Sequence, residues 1–177
     1  TMKNIFLTLF LLFFIFSCNQ NKDNNLKDRI VGLLNSEKGE FAVAYKNLNT
    51  GETILINENE EFHAASTMKT PVMIEAFKKN NEGLISLDDS ILIQNEFKSI
   101  VDGSSFTMEV TEDSEKDLYK NLTKKTTLHH LAYEMITRSS NLATNILIDF
   151  LDAKKVTSTM REMRADSIEV LRGVEDL

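Results

Sequence analysis

Phe62-His63-Ala64-Ala65-Ser66-Thr67-Met68-Lys69-Thr70-Pro71-Val72-Met73 is the stretch on which the reading of this chain turns. From Ser66 to about Lys79, Met68, Val72, Met73, Ala76 and Phe77 recur at three- and four-residue spacing, which predicts an amphipathic helix. Pro71, the only proline, places its start. Proline is tolerated in the first turn, where the N–H groups have no helical partner, so the helix is expected to begin close to Ser66. Asn80-Asn81-Glu82-Gly83 should stop it. Ser66 and Lys69 then stand at i and i+3 on one face, where hydroxyl and ammonium can meet. A serine hydroxyl is a poor nucleophile until a neighbour takes its proton. A lysine in a partly buried, charge-balanced pocket has its pKa lowered and can be that neighbour. The helix N-terminus adds positive potential where negative charge develops during acyl transfer.

Ser-x-x-Lys occurs once here, and at average composition it arises by chance about once in 250 positions. It therefore needs a second element. Ile136-Thr137-Arg138-Ser139-Ser140-Asn141-Leu142-Ala143-Thr144-Asn145 supplies one: a Ser-x-Asn at a break between two helical patterns, Leu128–Ile136 and Asn141–Leu151. Such a break turns side chains into a cleft. Ser139 could relay a proton to a leaving nitrogen, and Asn141 could hydrogen-bond a substrate amide. Ser139, Ser140 or Asn141 could equally cap the next helix, and the two roles are compatible. Upstream, Leu26, Ile30, Val31, Leu33 and Leu34 predict a first helix ending near Gly39. Glu40–Lys46 and Glu52–Asn57, around Asn47-Leu48-Asn49-Thr50-Gly51, predict a hairpin. Residues 84–125 give no clear period. Ala153–Met163 reads as another helix and Ser167–Leu171 as extended.

Ser-Thr-Met-Lys with Pro-Val-Met, and Met-Ile-Thr-x-Ser-x-Asn-x-Ala-Thr-Asn, resemble in residues, flanks and order the first two signatures of class A β-lactamases and penicillin-binding proteins. The resemblance covers roughly residues 26–177. It implies an α+β, serine β-lactamase/transpeptidase-like fold, a helical domain plus an antiparallel sheet. It implies Ser66 as the acylated serine, Lys69 as its activator, Ser139 as proton shuttle and Asn141 as a substrate contact. Arg172-Gly173-Val174-Glu175 falls where relatives carry a deacylating glutamate, which implies Glu175 as activator of the hydrolytic water. The chain departs from the pattern at Ser140, where the family has aspartate, and in the longer spacing from Ser66 to Ser139, placed in the acidic region around Asp113. The third signature, Lys-Thr-Gly, is not in the sequence. Its strand, the neighbouring strands and a helix are expected to lie beyond this sequence, and residues 19–177 alone are expected to be inactive for want of half the oxyanion hole.

At the other end, Met2-Lys3-Asn4 precedes an apolar run from Ile5 to Phe16, too short to span a bilayer but right for a signal peptide. Ile15-Phe16-Ser17-Cys18 resembles a bacterial lipobox, so 1–17 are read as signal, Cys18 as the lipidated residue and 18–25 as a polar tether before the domain at 26–177. A plain signal peptide with an incidental cysteine is the alternative. Cys18 is the only cysteine, which excludes an intramolecular disulfide. A net charge of -7 argues against nucleic acid and against broad electrostatic binding to anionic membrane. His63, His129 and His130 lack zinc-site spacing, and no metal or cofactor is expected. The expectation is an exported, lipid-anchored monomer acting on β-lactam or peptidoglycan-like small molecules. A peptidase-like penicillin-binding enzyme, or a non-catalytic lipoprotein that kept the fold, stands beside it.

Overall fold

A computed structural model describes residues 21–174. The apolar leader, Cys18 and Glu175 lie outside them. The chain divides between His63 and Ala64 into two units.

In the first unit, helix α1 (Asn21–Ser36) starts inside the polar segment read as a tether and ends three residues before Gly39. Strands β1 (Val43–Lys46) and β2 (Thr53–Ile56) pair antiparallel, with Val43 opposite Ile56 and Lys46 opposite Thr53. The turn is built as its composition demands. Asn47 Oδ1 accepts from the N–H groups of Asn49 and Thr50 at 3.0 and 3.2 Å, and Gly51 takes the left-handed backbone (φ 77°) that closes it.

The second unit packs four helices: α2 (Lys69–Asn81), α3 (Leu128–Thr137), α4 (Asn141–Leu151) and α5 (Ala153–Glu162). Helix α4 is the hub. Every residue from Leu142 to Ile148 is buried, which is why its sequence is apolar on all sides and not along one stripe. Val72 and Ala76 of α2, Leu131 and Met135 of α3 and Val156 of α5 join it in one core. Each such aliphatic side chain contributes about 1.5–3 kcal/mol by leaving water. Two of the polar groups buried here are paired: Thr144 Oγ1 donates to the Ser140 carbonyl at 2.6 Å, and Glu75 accepts from Thr159 Oγ1.

The stretch without a legible period, residues 84–125, holds two small antiparallel pairings. Strand β3 (Ser90–Leu92) pairs with β6 (Lys125–Thr127), and β4 (Phe97–Lys98) with β5 (Ser105–Phe106). Two or three residues cannot display an alternation, so no sequence period could announce them. Ser167–Leu171 pairs with no strand among the described residues. Its backbone is held by side chains instead: Thr157 Oγ1 donates to the Val170 carbonyl (2.8 Å) and accepts from the Val170 N–H (2.9 Å), and Arg161 donates to the Ile168 carbonyl. Groups satisfied that way need no neighbouring strand.

Candidate active site

Ser66 lies just ahead of the α-helix, three residues before its first residue. Ala65–Met68 is a 3-10 turn, and the α-helix proper begins at Lys69, with Pro71 third in it. The turn is entered through Ala65 at φ 44°, a left-handed conformation that costs a residue with a Cβ about 1–2 kcal/mol. The result is a solvent-exposed Ser66 hydroxyl in front of a Lys69 side chain that is 3% exposed.

Between α3 and α4 the chain turns at Ser139, again left-handed (φ 58°). Its hydroxyl lies 2.8 Å from Ser66 Oγ and accepts from Lys69 Nζ at 3.0 Å. The ammonium also donates to the Ser139 carbonyl (2.7 Å) and to Asn141 Oδ1 (2.8 Å). Ser66, Lys69, Ser139 and Asn141 thus meet in one cluster. The expected direct meeting of Ser66 with Lys69 is replaced by contact through Ser139. The 3-10 turn carries the Ser66 hydroxyl outward, and the left-handed Ser139 fills the gap. Burial pushes the Lys69 pKa below its ordinary value, and the charge of Asp113 partly offsets this.

Two buried polar residues that hold the surrounding chain were not singled out from sequence. Asp113, 3% exposed, accepts from the backbone N–H of Asn141 (3.0 Å) and of Leu142 (2.8 Å) and from the Tyr119 hydroxyl (3.0 Å). Asn145, 2% exposed, closes on Val174: its Oδ1 accepts from the Val174 N–H (2.6 Å) and its Nδ2 donates to the Val174 carbonyl (2.9 Å). The clamp fits because residue 173 is glycine. A Cβ there would stand 2.7 Å from Asn145 Oδ1. Asn145 had a signal, a lone amide in the apolar run Ile-Leu-Ile of α4. Asp113 had none, since its acidic neighbours look alike in sequence. Val174 directly precedes Glu175, so the clamp fixes the backbone leading to that residue. A cavity of about 480 Å³, lined among others by Phe97, Phe106, Asn145, Ile148 and Gly173, shares Asn145 but none of the four clustered residues.

The comparisons with known proteins agree with this architecture. A family model described as the β-lactamase enzyme family matches residues 25–177. The chain is 30% identical over 91 residues to β-lactamase VEB-1 of Pseudomonas aeruginosa, covering 51% of this chain and 30% of that protein. The TLA-3 extended-spectrum β-lactamase structure superposes with a TM-score of 0.72 at 21% identity, covering 87% of this chain and 53% of that one. The PBP-A structure gives 0.65 at 24%, covering 85% and 53%. The chain therefore spans about half the length of the solved relatives it matches, and over that half the fold is β-lactamase/transpeptidase-like: helices with small antiparallel sheets. With the family model running through all but the first residues, the chain belongs to the β-lactamase enzyme family.

Proposed function

We propose that this chain carries the acylating centre of a serine β-lactamase. The Ser66–Ser139–Lys69 hydrogen-bond chain is the observation that supports it most directly. As an ammonium, Lys69 spends its three N–H groups on the Ser139 carbonyl, the Ser139 hydroxyl and Asn141 Oδ1. As a free amine it has a lone pair to offer, and the Ser139 hydroxyl can donate to it. Ser66 Oγ then attacks the β-lactam carbonyl carbon while its proton passes to Ser139 Oγ, and the Ser139 proton passes to Lys69 Nζ. When the ring C–N bond breaks, Lys69 Nζ returns a proton to Ser139 Oγ, and the Ser139 hydroxyl gives its proton to the leaving nitrogen. Water cleaves the resulting Ser66 ester, restoring the hydroxyl and releasing the carboxylic acid. Glu175 is assigned the activation of that water, and Asn141 the recognition of a substrate amide. The protein would act outside the cytoplasm, held by lipid at Cys18.

The likeness to PBP-A, a mutant of which is known as an acyl-enzyme complex with penicillin G, favours a second reading within the same chemistry, an acyl-enzyme that persists. One experiment addresses both. The full-length protein is incubated with penicillin and followed by intact mass and by hydrolysis of a chromogenic cephalosporin. An adduct on Ser66, lost in Ser66→Ala, is expected. Fast turnover supports the β-lactamase reading, and a stable adduct without turnover supports the penicillin-binding one. No adduct with any β-lactam or active-serine probe would sink both.

A further inference from the structure

We propose that Asp113 is a positioning residue for this reaction. Its carboxylate locks the first turn of α4 so that Ser139 and Asn141 are held against Lys69, and it supplies from a distant loop the negative charge that relatives place beside the shuttle serine. This rests on the acyl-transfer reading of the cluster.

The argument starts from the residue between Ser139 and Asn141. Relatives carry aspartate there, as in Ser-Asp-Asn. This chain carries Ser140, fully buried, whose hydroxyl accepts from the Ala143 N–H at 3.1 Å as an ordinary helix cap. A hydroxyl brings no charge, yet a buried carboxylate is present. Asp113 Oδ2 lies 3.5 Å from Ser140 Oγ, and the two carboxylate oxygens take the N–H groups of Asn141 and Leu142. These are orphan donors at the positive end of the helix, where an anion is most favourable. The loop that delivers it is itself fixed: Asp113 Oδ1 accepts from the Glu115 N–H, the Tyr119 hydroxyl donates to Oδ2, and Glu115 accepts from the N–H groups of Asp117 and Leu118. The acidic run is thus a built device with two inward carboxylates, while Glu112 and Asp117 face solvent. Asn141 joins the two halves, its backbone held by Asp113 and its side chain by Lys69. The negative charge of Asp113 favours the ammonium form of Lys69, against the burial that disfavours it.

A scaffold alone would not bear on the protonation of Lys69, and a carboxylate charge nearby would. The full-length protein is labelled with 13Cε-lysine, the Lys69 resonance is identified by its loss in Lys69→Arg, and its titration is followed by NMR. Asp113→Asn keeps the shape and removes the charge. The Lys69 pKa is expected to fall further once the charge that favours the ammonium is gone, and the acid limb of penicillin acylation to move down with it. Ser140→Asp in the Asp113→Asn background should return both toward wild type. An unmoved Lys69 titration in folded Asp113→Asn overturns the proposal. If Asp113→Asn does not fold, the double variant decides: recovery of folding and of the wild-type titration supports the proposal, and failure to recover them overturns it. The titration needs no turnover, so a protein inert to penicillin would remove the hydrolase reading while leaving the charge measurement standing.

Discussion

The starts of α2 and α4 meet in the candidate site and are built in opposite ways. Each is entered through a left-handed residue with a side chain, Ala65 and Ser139. The start of α4 is over-determined: Ser140 caps Ala143, and Asp113 takes the next two N–H groups. The start of α2 has no side-chain cap and no acidic residue in its first turn. An uncapped helix start is a small cost in stability, about 1 kcal/mol, and it leaves partial positive charge uncompensated. At α4 that charge is spent on Asp113. At α2 it remains beside Ser66, where acyl transfer generates an oxyanion. One helix start is rigid and neutralised, and it aims the shuttle and the amide. The other is bare and electropositive, and it carries the nucleophile.

The largest expected effect breaks the proton path between them. Lys69→Met should slow acylation on the order of 100- to 10,000-fold, the usual worth of a positioned base. Stopped-flow measurement across pH checks it with a sign. The active form of Lys69 is the free amine, so wild-type acylation should rise with pH through a pKa below the ordinary 10.5, and that limb should vanish in Lys69→Met. Stability carries the same mark. Between the depressed folded pKa and 10.5 the unfolded chain binds more protons, so stability should increase with pH across that window, an increment Lys69→Met lacks.

A smaller effect tests the redundancy at α4. Ser140→Ala removes the acceptor for the Ala143 N–H and should cost about 1 kcal/mol in urea unfolding. Acylation should stay within a few-fold of wild type, because Asp113 still holds Asn141 and Leu142. A loss approaching that of Lys69→Met would show that the cap, and not the carboxylate, does the aiming.

The same contrast explains what the sequence could and could not disclose. Helices α2, α3 and α5 announce themselves because ten or more residues repeat a period, α4 through its strongly apolar run, and Asn47–Gly51 announces the hairpin through its turn chemistry. Ser66, Lys69, Ser139 and Asn141 are legible because they lie within one turn of those helix starts. The rest depends on contacts between distant segments. Nothing local distinguishes Asp113 from Glu112, although one is buried and the other exposed. Nothing local says that Ser139 will stand between Ser66 and Lys69, since that follows from a single left-handed residue in the α3–α4 turn. What holds Ser167–Leu171 has the same origin, because Thr157 and Arg161, from another element, take backbone groups of that segment.

The smallest effect concerns the left-handed residue ahead of the nucleophile. Ala65 at φ 44° pays for its Cβ, and glycine would not. Ala65→Gly also makes the unfolded chain freer, a loss of about 0.5–1 kcal/mol that nearly offsets the relief, so thermal unfolding should change by less than 1 kcal/mol. The informative readout is kinetic. Ser66 is exposed, and its orientation toward Ser139 depends on the turn that begins at Ala65. Glycine widens the conformations open to that turn, so acylation should fall several-fold while affinity for a non-covalent β-lactam product is kept. An unchanged rate would mean that the hydrogen bond to Ser139 alone fixes the hydroxyl, and that the strained entry into α2 serves the packing of Val72 and Ala76 instead.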